Sequence, residues 1–353
     1  MKKAIMVAAL AALGTLGLGA CGESDGSGGA ARQQIRIVGS STVYPFTRAV
    51  AERFAQASPS SGGAPIVEST GTGGGINQFC GGVGANFPDI VNASRRMKTS
   101  ELEACNRNGV TRVIEVPVGI DGLTLIESAQ RPTGFRLTTR DIYAALAANP
   151  FGRAQTARAW RDVNPSLPAV PIRVYGPPPT SGTRDSFAEL ILEKGCDTEP
   201  AMQQLKEQDS DRHKQVCTQL REDGAYVEAG EDDNLLVQRV ADNQGWMGVL
   251  GYSFLQANQE RVRGIPIGGS APSPETISNL SYPGARQLYI YVKGEHLDAI
   301  PGIREFLAEY ARGWAQGGYL SQLGMIPSAA EVRARAEQQV QNPQPLRAAD
   351  LAS

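Results

Sequence analysis

Ile35-Arg36-Ile37-Val38-Gly39-Ser40-Ser41-Thr42 opens the folded part of this chain with a short β-like run, a glycine and three hydroxyl-bearing residues. Pro45 and Phe46 then lead into a segment ending at Phe54, with apolar residues at 46, 49, 50 and 54, the spacing of one helix face. Pro45 suits a first helical turn, and Ser41 or Thr42 suits an N-cap. The unit recurs. Pro65-Ile66-Val67-Glu68 reads as a strand, Ser69-Thr70-Gly71-Thr72-Gly73-Gly74-Gly75 as its loop, and Ile76 to Cys80 as the start of a helix. Asp89-Ile90-Val91-Asn92 is a third strand closed by Ala93-Ser94-Arg95-Arg96, and Ser100-Glu101-Leu102-Glu103 has the form of a helix start. Strand, polar loop and helix in succession predict a parallel sheet with helices on its faces. Ligands of such sheets sit at the carboxyl ends of the strands, where these loops lie.

Two apolar runs, Val113 to Ile126 and Trp246 to Leu255, read as the places where the chain crosses to a second lobe and returns. Between them Ile172-Arg173-Val174-Tyr175 is a strand, Gly176-Pro177-Pro178-Pro179 a stiff turn, and Thr180-Ser181-Gly182-Thr183-Arg184 a fourth hydroxyl-rich loop before a helix at Ser186. Leu288 to Val292 reads as a further strand and Ile303 to Trp314 as an amphipathic helix. The expected fold is α/β, two lobes with a hinge and a central cleft. Residues 34–120 and 256–345 form the first lobe, 121–255 the second and 346–353 a tail.

The N-terminus carries Lys2 and Lys3, an apolar stretch from Ala4 to Leu18 and then Gly19-Ala20-Cys21, the layout of a bacterial signal peptide over residues 1–20. Leu18-Gly19-Ala20-Cys21 matches a lipobox, which makes Cys21 the expected lipidated N-terminus of an envelope protein; a plain cleavable signal is the alternative. Residues 21–33 then form a flexible tether. Without Lys2 and Lys3 the mature chain has 32 basic residues against 36 acidic ones, which offers nothing to nucleic acid. Cys80, Cys105, Cys196 and Cys217 are an even set in an exported chain, and the sequence-local pairing Cys80–Cys105 and Cys196–Cys217 is favoured. A zinc site is the alternative to those bonds. It is disfavoured because CxxC is absent and His213 and His296 lie in charged surroundings, so no metal and no cofactor are expected.

The loops share one chemistry: backbone amides, hydroxyls and helix N-termini that favour an oxyanion. Glycine is costly to order, so the Thr70–Gly75 loop is expected where backbone approaches something closely. It is no nucleotide loop, because Lys-Ser or Lys-Thr does not follow. Thr180–Arg184 adds a guanidinium suited to bidentate contact, with pairing of Arg184 to Asp185 or Glu189 as the plain alternative. Of the adjacent pair, Arg95 is expected to reach the cleft and Arg96 to be solvated. Asp121, a carboxylate in an apolar run, either pairs with one of those arginines, accepts a proton from a ligand, or forms a hinge turn.

Together these residues resemble the phosphate-binding receptors of bacterial phosphate ABC transporters, from Ile37–Thr42 through Gly245-Trp246-Met247-Gly248-Val249-Leu250-Gly251-Tyr252 to Pro283 and Leu288–Val292. The resemblance implies a periplasmic-binding-protein fold closing over one phosphate, and delivery of that phosphate to the permease and ATPase subunits. A lipid-anchored monomer that makes and breaks no bonds is expected. By position it implies ligand contacts from Ser41, Thr42 and Thr72, beside Gly73, and from Ser181, Gly182 and Thr183; the residues themselves offer Arg95 and Arg184 as cations and Asp121 as candidate acceptor. Two departures stand out: Arg95 occupies the place of a customary aspartate, and Pro177 that of a customary arginine. An all-donor site would not discriminate against sulfate, so selectivity rests on whether an acceptor replaces the aspartate. A receptor for another oxyanion or an organic phosphate is the first alternative. A hydrolase using Ser181 or Thr183 is the second; it would need a general base, and G-x-S-x-G is absent.

Overall fold

The computed structural model describes residues 34–57, 63–179, 181–230, 232–315 and 317–351; the leader, Cys21 and its tether, and Thr180 lie outside the described residues. The strands are β1 (Arg36–Gly39), β2 (Ile66–Ser69), β3 (Ile90–Ala93), β4 (Val113–Ser128), β5 (Val174–Gly176), β6 (Tyr226–Glu228), β7 (Met247–Gly251), β8 (Val262–Gly264) and β9 (Ala285–Lys293). They hydrogen-bond in the order β2-β1-β3-β9-β4-β7-β5-β6, with β8 on β4.

The expected parallel sheet holds only in part. β1 runs parallel to β2 and β3, and β5 to β6 and β7, but β9 runs antiparallel to both β3 and β4, so the sheet is mixed. Strand direction depends on the route of the connecting chain, which local residue patterns do not record. β4 is the crossing itself. Val113 to Gly122 pairs with β9, Leu123 to Ile126 with β7 and Ile126 to Ser128 with β8. Its register shifts between Pro117 and Gly119, where proline has no N–H to give the ladder.

Ile37 faces one core and Val38 the other, as expected of a strand buried on both faces. The first core packs Phe46, Val50 and Phe54 of α1 (Tyr44–Ala57) against Phe306 and Tyr310. The second packs α2 (Thr72–Phe79) and α3 (Thr99–Arg107) on the opposite face through Ile76, Phe79 and Leu102. A third core, around Leu125, Trp160, Val174, Phe187 and Val249, belongs to the distal half of β4 and its neighbours. Val262, Ile265, Ile277 and Tyr282, which follow Leu255 in the chain, also join that third core. Cys80 is bonded to Cys105, with Cα atoms 4.2 Å apart, and Cys196 to Cys217, at 5.4 Å. No helix among the described residues is long and apolar enough to cross a membrane.

Candidate functional site

Helix α1 begins only at Tyr44, whose N–H bonds Ser40 O at 3.0 Å, so Ser41 and Thr42 form the turn ahead of it. That turn meets the start of the helix Gly182–Phe187. A methyl group on Gly182 would lie 3.1 Å from Thr42 Cα and 3.2 Å from Ser41 O, tighter than ordinary contact, so glycine lets the two turns come this close. Thr42 Oγ1 lies 3.4 Å from both Gly182 O and Ser186 Oγ, and the Ser41 hydroxyl donates to Asp185. Ser181 caps its own helix, its Oγ accepting the Thr183 N–H at 3.2 Å.

In the glycine-rich loop, Gly71 takes a positive φ of 72° and α2 starts at Thr72, so Gly73 and Gly74 are first-turn residues. The close approach expected of this loop is to the protein itself: a methyl group on Gly75 would lie 2.5 Å from Gly39 Cα. Thr72 Oγ1 accepts the Ser94 N–H at 3.1 Å and bonds Ser94 Oγ at 3.0 Å. Ser94 Oγ in turn lies 3.4 Å from Glu189 Oε2. Thr42, Ser181, Gly182 and Thr183 border one crevice; Ser41 is tied to the same helix through Asp185, and Thr72 to its continuation through Ser94 and Glu189.

The cation in that crevice is one the sequence reading did not select. Arg286, at the start of β9 and only 8% exposed, sends Nη2 to Thr42 Oγ1 at 2.9 Å and to Ser186 Oγ at 2.7 Å. Its Nε lies 3.2 Å from Asp121 Oδ2, and Nη1 donates to Glu189. Asp121 also accepts from Ser186 Oγ at 2.6 Å. Asp121 therefore has an arginine partner, and that partner is its cross-strand neighbour in the β4–β9 register. Ser186, Asp185, Glu189 and Ser94 complete the set; the sequence offers Asp185 and Glu189 only as partners for Arg184 and Ser94 only as part of a strand-end loop. A cavity of about 230 Å³ opens beside them, bordered by Thr42, Asp121 and Ser181 to Thr183.

The arginines expected at the ligand are engaged elsewhere. Arg95 makes a bidentate pair with Glu101 at the start of α3, at 2.9 and 2.7 Å, which holds the Arg95 guanidinium above its ordinary pKa. Arg96, expected in solvent, is held by Glu115 at 2.9 Å. Arg184 donates to Pro177 O at 3.1 Å and Tyr226 Oη at 3.3 Å, lies over the Tyr226 ring and sits 3.8 Å from Glu228. Burial pushes the Tyr226 hydroxyl up to about 12, so it meets Arg184 as a neutral phenol. These neighbours capture both long side chains before the crevice does.

Neither histidine approaches Ser181 or Thr183 by hydrogen bonding: His213 bonds Asp197 at 2.7 Å, and His296 bonds Asp89 at 2.6 Å and the Gly84 N–H at 3.1 Å. The donor atoms of Cys196, His213 and Cys217 lie within 4.8 Å of one another, but the two sulfurs are bonded to each other and offer no thiolate to a metal.

Residues 25–312 match the family model of the PBP superfamily domain. Protein SphX of Synechococcus elongatus is 33% identical over 318 residues, 88% of this chain and 82% of that one. The phosphate-binding protein PstS of Staphylococcus saprophyticus is 28% identical, over 87% of this chain and 85% of its own length. A crystal structure described as a possible phosphate binding protein from Planctomyces limnophilus superimposes with a TM-score of 0.72 at 26% identity, covering 89% of this chain and 99% of that one. An ABC-type phosphate transport receptor from Vibrio cholerae, 20% identical, shares the fold with a TM-score of 0.57 over 83% of this chain and 99% of its own. With its mixed sheet bent into two α/β lobes about a shared strand, this chain belongs to the PBP superfamily, among the relatives of SphX and PstS.

Proposed function

We propose that the crevice binds inorganic phosphate and that the closed protein delivers it to the permease and ATPase subunits of an ABC importer. The observation that carries this reading is the convergence of Thr42 from one half and Ser186 from the other on the Arg286 guanidinium. Ser41, Thr42, Thr72, Gly73, Ser181, Gly182 and Thr183 supply the hydroxyls and amides; Arg286 takes the role first given to Arg95 and Arg184. A ligand reaching both halves stabilises the closed form, which a permease can then distinguish from the open one.

Asp121 and Glu189 pair with the Arg286 guanidinium, and Asp185 accepts from the Ser41 hydroxyl close by. Those carboxylates disfavour a bare dianion and favour one that brings its own proton to an acceptor. Asp121 is the proposed acceptor, because Ser186 and Arg286 fix its Oδ2. Phosphate is then selected over fully ionised sulfate. The same reading has the mature protein held at the cell envelope through a lipidated Cys21, working as a monomer, its disulfides intact and without catalysis.

Isothermal titration with phosphate and sulfate tests this. Saturable one-to-one heat with phosphate and none with sulfate is expected; absence of both heat and thermal stabilisation with phosphate refutes it.

A further inference from the structure

Resting on that phosphate reading, we infer that Asp185 and Glu189 are built-in competitors of the anion: their carboxylates take donors that phosphate needs, and phosphate binds by expelling them. The helix Gly182–Phe187 runs on into the turn Ala188–Leu192, and the two acidic residues stand four residues apart along that stretch. Each is held by groups outside it. The Ser41 hydroxyl donates to Asp185, Arg286 Nη1 donates to Glu189, and Ser94 Oγ lies 3.4 Å from Glu189 Oε2.

Donor capacity sets the carboxylates against the ligand. A serine hydroxyl has one proton to donate, and that of Ser41 goes to Asp185. Phosphate reaches it only once Asp185 turns away. Arg286 directs Nε to Asp121 and Nη2 to Thr42 and Ser186, which leaves Nη1, the nitrogen that Glu189 holds. An anion approaching Nη1 meets a carboxylate of its own sign until Glu189 moves. Glu189 is also the partner most easily released: its side chain is 46% exposed, against 20% for Asp121, so water receives its charge. Carboxylate and phosphate oxygens accept the same charge-assisted hydrogen bonds, so these side chains stand in for oxygens of the anion. Being tethered, they compete at an effective concentration on the order of millimolar or more. A free anion that binds these donors no better than a carboxylate stays out. The apparent affinity of phosphate is lowered by the fraction of protein whose donors are free.

The test is a thermodynamic cycle on the mature chain, kept free of phosphate by an enzymatic scavenger until titration, with Glu189→Gln and Asp185→Asn. Calorimetry is expected to show phosphate bound about tenfold more tightly by Glu189→Gln and about threefold more tightly by Asp185→Asn. The ligand-free Glu189→Gln protein is expected to lose the matching stability, about 1.4 kcal/mol for tenfold, while melts at saturating phosphate coincide with the wild type. This paired change in either variant carries the inference. Tighter binding in both with no loss of ligand-free stability overturns it, because the carboxylates then act only through their field. Equal loss of stability with and without phosphate overturns it too, as a merely structural role. Weaker phosphate binding in both makes the carboxylates ligand contacts, which overturns the inference and leaves the phosphate reading standing. A wild type that binds no phosphate removes both readings.

Discussion

Asp121 and Arg286 face each other across the β4–β9 ladder, Nε 3.2 Å from Oδ2, one residue pair short of where β4 changes partner from β9 to β7. The pair stands on the strand common to both halves, and Arg286 reaches on to Glu189 and Ser186 in the second half and to Thr42 in the first. A guanidinium tied into both halves is placed to sense whether they are together.

Arg286→Ala removes the charge that neutralises Asp121 and Glu189. Asp121 and Glu189 keep 20% and 46% of their side chains exposed, so leaving them unpaired costs less than the about 3–5 kcal/mol of a fully buried pair. Urea unfolding is expected to show a loss of about 1–2 kcal/mol and calorimetry to show phosphate affinity lowered at least about a hundredfold. Arg286→Lys keeps the charge without the planar fork, so stability recovers further than affinity.

Asp121→Asn tests the acceptor. The amide keeps the shape but presents N–H groups to the anion, so the ratio of phosphate to sulfate affinity is expected to fall at least about tenfold, mainly through stronger sulfate binding. An unchanged ratio assigns the discrimination to another group.

Gly182→Ala places a methyl group 3.1 Å from Thr42 Cα, tighter than ordinary contact. The two turns must then separate by a few tenths of an ångström. Phosphate affinity is expected to fall about tenfold while stability changes by less than about 1 kcal/mol, read by calorimetry and thermal melts.

Arg95→Ala separates structure from binding. Phosphate affinity is expected to stay within about twofold and stability to fall by up to about 1 kcal/mol, as suits a partly exposed pair. Burial by itself raises the Glu101 carboxyl, but the Arg95 guanidinium and the Lys98 backbone N–H outweigh it and hold the pKa below the ordinary value. A folded pKa below the unfolded one stabilises the protein above the ordinary glutamate value of about 4.3; that contribution is lost as pH falls through the folded value. Acid unfolding of Arg95→Ala is therefore expected to begin at a higher pH than in the wild type.

What was legible in the sequence were features that act locally. Ser41, Thr42, Thr72 and Ser181 to Thr183 lie at strand ends or helix starts, where small residues announce themselves by type and spacing. The disulfide partners, 25 and 21 residues apart, follow the same rule. Arg286 did not, because its meaning comes from a register that brings it opposite a residue 165 positions away. Arg95 and Arg184 misled for the opposite reason: they sit beside the right loops, but a long guanidinium goes to the best nearby acceptor, here Glu101 and the Pro177 carbonyl with Tyr226. The mixed sheet was hidden likewise, since β9 takes its direction from a connection no local pattern encodes.

The most direct measurement is a crystal structure of the phosphate complex, with the partners of each phosphate oxygen counted. Phosphate is expected between the Ser41–Thr42 turn and Ser181–Thr183, in hydrogen-bond contact with Arg286 and with one oxygen directed at Asp121. Phosphate held by Arg95 or Arg184, or bound to one half alone, would contradict it.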